Sequence, residues 1–109
     1  MKYEIIVSEP WDFTNGSNEN TISGRIVKRI DENSIIFKSD DYIELKNHKG
    51  KFLFLSPRQK FETFDKGEQD AELSVNCRIM HNNYEESMNL QQIVNNSTFV
   101  IIGLLQKIS

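Results

Sequence analysis

The sequence predicts a mainly β fold, a small curved antiparallel sheet or barrel, OB-like or SH3-like in size, with one or two short α-helices. Three observations predict it. β-Branched and aromatic residues alternate with polar ones in short runs. Turn residues separate the runs. A chain of 109 residues, 38% hydrophobic and 27% charged, has enough apolar material for one core without cross-links, so residues 1–109 read as a single domain.

In the first run, Tyr3, Ile5 and Val7 share one face of a half-buried strand that Pro10 stops. Residues 8–20, SEPWDFTNGSNEN, then read as a strand end followed by a polar loop. Trp11 and Phe13 are two residues apart and point to the same side of an extended segment, which makes them anchors. The next unit, residues 22–38, reads as a hairpin, with Ile22, Ile26 and Ile30 on one face and a turn at Asp31, Glu32 and Asn33. Asp40 and Asp41 mark a second turn, after which Ile43 and Leu45 alternate with Tyr42, Glu44 and Lys46. Residues 47–50 form a tight connection in which Gly50 supplies positive φ. KFLFL, residues 51–55, is apolar on both faces and calls for cover on both.

Residues 56–67 carry the signature of a short helix, with Ser56 as N-cap, Pro57 at the first position, Gln59 completing a capping box, Phe61 and Phe64 on one face and Gly67 closing the end. From Glu72 to Met80 the alternation is clean, with Leu73, Val75, Cys77 and Ile79 inward. A second helix is expected over residues 84–95, capped by Asn82 or Asn83, with Leu90, Ile93 and Val94 as its apolar face. The last run, residues 98–108, is apolar on both faces and reads as a central strand bent at Gly103. The total is seven strands.

A formal charge of −3 gives no general attraction to nucleic acid or anionic membranes. The single cysteine, Cys77, excludes an intrachain disulfide, and the longest apolar run falls well short of a membrane span, so a cytoplasmic location is expected. Thirteen Ile, eleven Asn and nine Lys against one Ala resemble the composition of proteins from AT-rich genomes, such as those of many low-GC bacteria and their phages.

No P-loop, dinucleotide fingerprint, nucleophile elbow or metalloprotease motif is present, and the reading is of a non-enzymatic protein with no cofactor. His48 and His81 read as surface histidines and Cys77 as a buried thiol on the apolar face. The carboxylate pairs Asp40–Asp41 and Glu85–Glu86 read as turn and helix-start charges.

Charge layout is more informative. Lys46, Lys49, Lys51, Arg58 and Lys60 form a block without an acid, interleaved with Phe52, Phe54 and Phe61, and Arg25 and Arg29 extend it. Small barrels that bind single strands combine such cations with aromatic platforms. Glu62, Asp65, Glu68, Asp70 and Glu72 follow as an acidic block. Together with Trp11 they suit contact with a basic protein partner and inhibition of it. Protein contact is the leading expectation and single-stranded nucleic acid the alternative.

Overall fold

The computed structural model describes residues 2–7, 21–67 and 71–108. Trp11, Phe13, Glu68 and Asp70, and the expectations placed on them, lie outside the described residues. Six strands run in chain order: β1 (Tyr3–Val7), β2 (Thr21–Asp31), β3 (Ser34–Leu45), β4 (His48–Pro57), β5 (Glu72–Met80) and β6 (Ser97–Lys107). Each pairs antiparallel with the next, and β1 pairs with β6, so the sheet closes into an up-and-down barrel.

The alternation decides which side chains fill it. Tyr3, Ile5, Ile22, Ile35, Phe37, Leu53, Leu55, Leu73, Val75, Cys77, Ile79 and Leu105 form one buried cluster within the barrel. Gly103 belongs to this layer. A methyl at its Cα would lie 2.6 Å from Ile5 Cγ2, so β6 needs a residue without a side chain where it crosses β1. The step in register that bends β6 falls before this point, between the Cys77–Ile101 and Arg78–Phe99 pairs, and leaves Val100 as the extra residue.

Two helices cover what the barrel leaves open. Helix α1 (Phe61–Asp65) buries Phe61 and Phe64 against the barrel core beside Tyr3. Five residues cannot hold a helix alone. Here Tyr3 Oη donates to Asp65 Oδ1 at 2.8 Å, and Lys107 Nζ donates to the carbonyls of Asp65 and Gly67 at 3.2 and 2.9 Å. Helix α2 (Leu90–Asn95) buries Ile93 in a second cluster outside the barrel, with Ile36, Phe54 and Met80, and with Val27, Ile30, Phe52, Tyr84, Met88 and Val94 around it. This cluster is the second cover that KFLFL required.

Several expectations are corrected. There are six strands among the described residues, because β3 continues through Asp40–Asp41, where a turn was expected. Gly50 lies within β4; the connection is Lys46–Asn47, both with positive φ (51° and 67°), the two-residue turn that suits strand twist. Ser56 and Pro57 finish β4, paired with Asn76 and Val75, so α1 starts at Phe61 without a side-chain cap. Helix α2 is half the expected length, because the reciprocal capping box forms between Asn89 and Gln92, at 2.9 Å each way. Leu90 is exposed. Bulges after Ile26 and Arg29 turn Ile30 away from the interior to join Val27 outside. Finally, β6 is paired on both sides, yet Phe99, Ile102 and Leu104 on its outer face remain exposed by 46, 37 and 38%.

Candidate functional site: a cationic cleft at the bulge in β3

Lys38 of β3 pairs with Phe52 of β4, and the next register pair is Ile43 with Gly50. Residues 39–42 of β3 therefore stand against Lys51 alone. Four residues opposite one push the strand outward, and the bulge presents Asp40, Asp41 and Tyr42 to water while Ser39 stays buried. Ser39 Oγ accepts a bond from the Asp41 amide at 3.3 Å, and Lys2 forms an ion pair with Asp40. On the other side, Gly24 allows β2 to press against β3, since a methyl there would lie 2.1 Å from the Lys38 carbonyl oxygen.

The bulge opens a cleft of about 200 Å³ lined by Arg25, Lys38, Ser39, Asp40 and Lys51. That is less than the 300 Å³ or so at which pockets enclose a drug-sized molecule, so it suits one group of a larger ligand. Three cations face one acid, and that acid is engaged by Lys2. Arg25 and Lys38 are direct cross-strand partners, an arrangement of like charges that costs roughly 0.2–1 kcal/mol. Among the described residues neither Arg25 nor Lys51 has an ion-pair partner, while Lys38 Nζ lies 5.6 Å from the centroid of the Phe52 ring. The lining therefore carries a net positive charge.

Of the seven basic residues picked out in the sequence, the structure brings Arg25 and Lys51 together here. Lys46 and Lys49 follow along the β3–β4 hairpin, Lys46 in its turn and Lys49 at 4.0 Å from Glu44. The rest lie elsewhere. Arg29 forms an ion pair with Glu32 and covers the Phe61 ring at 5.2 Å, Arg58 donates to Asn76 Oδ1 at 3.3 Å, and Lys60 is the exposed residue before α1. Lys38 was missed, because only the pairing register reveals that it faces Arg25.

Two residues of the acidic block, Glu62 and Asp65, make contacts within the fold. Asp65 holds Tyr3, and Glu62 meets Lys66 one helical turn on at 2.7 Å, where the hydrogen bond and charge of Lys66 draw its carboxyl below the usual range. Glu72 is exposed at the start of β5. Burial pushes the Cys77 thiol up to about 12, so it stays protonated and inert at neutral pH. His48 and His81 do meet, their ring centroids 5.6 Å apart. Among the described residues no helix is long and apolar enough to cross a membrane. The chain matches no protein-family model, no curated protein and no solved structure.

Proposed function

We propose that this chain is a non-enzymatic cytoplasmic binding protein that takes a single-stranded nucleic acid at the cleft beside the β3 bulge, where β2, β3 and β4 meet. The observation that carries the reading is the group of like charges Arg25, Lys38 and Lys51, held together in a concavity of an otherwise acidic protein. A backbone phosphate in the cleft relieves their repulsion. Tyr42, 61% exposed on the bulge, offers a flat surface on which a base stacks.

The test is fluorescence anisotropy with a labelled oligothymidylate across a salt series. The phosphate in the cleft and its two neighbours along the strand make three contacts, which on a single strand give a log–log salt slope of about −2, or roughly a twentyfold loss of affinity between 50 and 200 mM salt. Arg25→Ala, Lys38→Ala and Lys51→Ala each flatten that slope by a little under one unit, whereas Lys60→Ala leaves it alone. Absence of binding at low salt, or equal effects from Lys60→Ala and the cleft variants, overturns the reading.

Contact with a protein is supported by a different surface, the apolar row Phe99, Ile102 and Leu104 on β6. On this second reading, Ile102→Asp with Leu104→Asp abolishes recovery of a partner from the native cell and leaves oligonucleotide binding intact. A partner indifferent to that pair but lost on reversing Glu68, Asp70 and Glu72 assigns the contact to the acidic segment instead.

A further inference from the structure

His48 opens β4 immediately after the Lys46–Asn47 turn, and His81 follows the last residue of β5. Their backbones are fixed independently. His48 is paired with Leu45 across the hairpin, and the His81 amide donates to the Asn96 carbonyl at 2.7 Å. The rings reach each other with centroids 5.6 Å apart and planes inclined by 47°.

That separation can be compared with what a shared ion requires. At metal–nitrogen distances of about 2.0–2.1 Å, two imidazoles on one ion hold their centroids roughly 4.5–5 Å apart in adjacent positions and about 6.5 Å apart in opposite ones. The observed spacing lies between these limits, so small side-chain rotations bring either arrangement within reach. Stacked flat against one another, the rings would have no common point in front of their nitrogens; inclined by 47°, they are not flat-stacked.

A third strand contributes the orienting contact. Thr98 of β6 has its Oγ1 2.9 Å from His81 Nε2. With Nε2–H donating to that hydroxyl, the Nδ1 lone pair of His81 is left open, the outer-shell arrangement that fixes the tautomer of a metal-bound histidine. Among the described residues no hydrogen bond engages the His48 ring, so both of its nitrogens are available. His81 is exposed and His48 half-exposed, which gives an ion access without unfolding.

We propose that His48 and His81 form a two-imidazole site for a divalent transition-metal ion of the copper, nickel or zinc type, with Thr98 as its positioning residue. Neutral imidazole suits these borderline ions and not magnesium or calcium. Among the described residues no group of three or more His, Cys, Asp or Glu gathers as a metal cage, so water completes the coordination and the ion exchanges freely. The site is separate from the cleft at the bulge, and its test does not depend on nucleic-acid binding.

The experiment titrates the folded chain with Cu(II) near neutral pH, reading affinity by calorimetry and ligand number by electron paramagnetic resonance. Wild type is expected to bind one equivalent at micromolar affinity with nitrogen couplings from two imidazoles. His48→Gln and His81→Gln each reduce the couplings to one imidazole and weaken binding at least tenfold. Thr98→Val keeps both imidazoles and weakens binding by about tenfold, the scale of an outer-shell loss. Circular dichroism of each variant reports on folding, and Ni(II) provides a second probe for any variant whose Cu(II) signal is obscured. A one-imidazole spectrum for wild type, or an affinity unchanged in His48→Gln, overturns the site. An affinity unchanged in Thr98→Val overturns the role given to Thr98.

Discussion

Replacing Tyr3 by Phe removes one oxygen and tests whether α1 is latched onto the barrel. Tyr3 Oη donates to the carboxylate of Asp65, and a hydrogen bond to a charged acceptor contributes about 1.5–3 kcal/mol. The lower end applies, because the carboxylate of the variant recovers some hydration. Burial, then the hydrogen bond to Asp65 and the negative charge of that group, raise the Tyr3 phenol to about 12. The folded state therefore holds the phenolic proton more tightly than the unfolded chain, whose phenol titrates near 10. Stability from this source is complete below pH 10 and is lost as pH rises from 10 to 12. At pH 11 the loss is of the order of 1 kcal/mol once solvent screening on the Asp65 side is allowed for. The assay is urea denaturation of wild type and Tyr3→Phe at pH 7, 9.5 and 11. Wild type should be more stable by about 1.5 kcal/mol at pH 7, and the gap should shrink towards pH 11. In a double-mutant cycle, Asp65→Asn should do much less harm in the Tyr3→Phe background than in wild type. A gap constant from pH 7 to 11, or additive effects in the cycle, would refute the latch.

Other predictions follow from the packing. Gly103→Ala places a methyl against Ile5 within the barrel and is expected to lower stability by about 1–3 kcal/mol in the same denaturation assay; a neutral result would show that β1 moves freely at this crossing. Phe64→Ala removes the ring that α1 buries against the barrel core and should lower stability by roughly 3–5 kcal/mol. Cys77 should react with a thiol reagent at pH 8 only at the rate at which the protein opens, and fast labelling without denaturant would contradict its burial beneath Gly103.

Most of the barrel was legible from alternation. The inward sets of β1 and β5 are those the sequence indicated, because neither strand is bulged between its inward residues. Alternation failed where a bulge shifts its phase, at Ile30 and at residues 39–42, since the extra residue is fixed by the partner strand and leaves no local mark. The helix starts show competition between motifs. Ser56-Pro57 suits a cap, but the ladder to β5 claims both residues, and the Arg58 amide extends it to Ser74 at 2.9 Å. Two candidate caps preceded the second helix, and the one that formed, Asn89 with Gln92, was not among them. The site was visible only in part. Arg25 and Lys51 stood out as cations, whereas Lys38 and the bulge that gathers all three depend on register between strands.

The closure of the barrel has a consequence for how it is reached. Five of the six ladders join strands consecutive in the chain, but the β1–β6 ladder joins Tyr3 to Lys107, 104 positions apart. Bringing such distant partners together carries about 2 kcal/mol more chain entropy than closing a ten-residue loop. The last ladder to zip is therefore the one that removes both free strand edges at once. Among the described residues the native barrel offers no free strand edge to a neighbouring chain, while the open sheet that precedes it offers two, flanked by the apolar residues of β6. Its hazard for self-association belongs to that late, unclosed species and ends when the first and last strands meet.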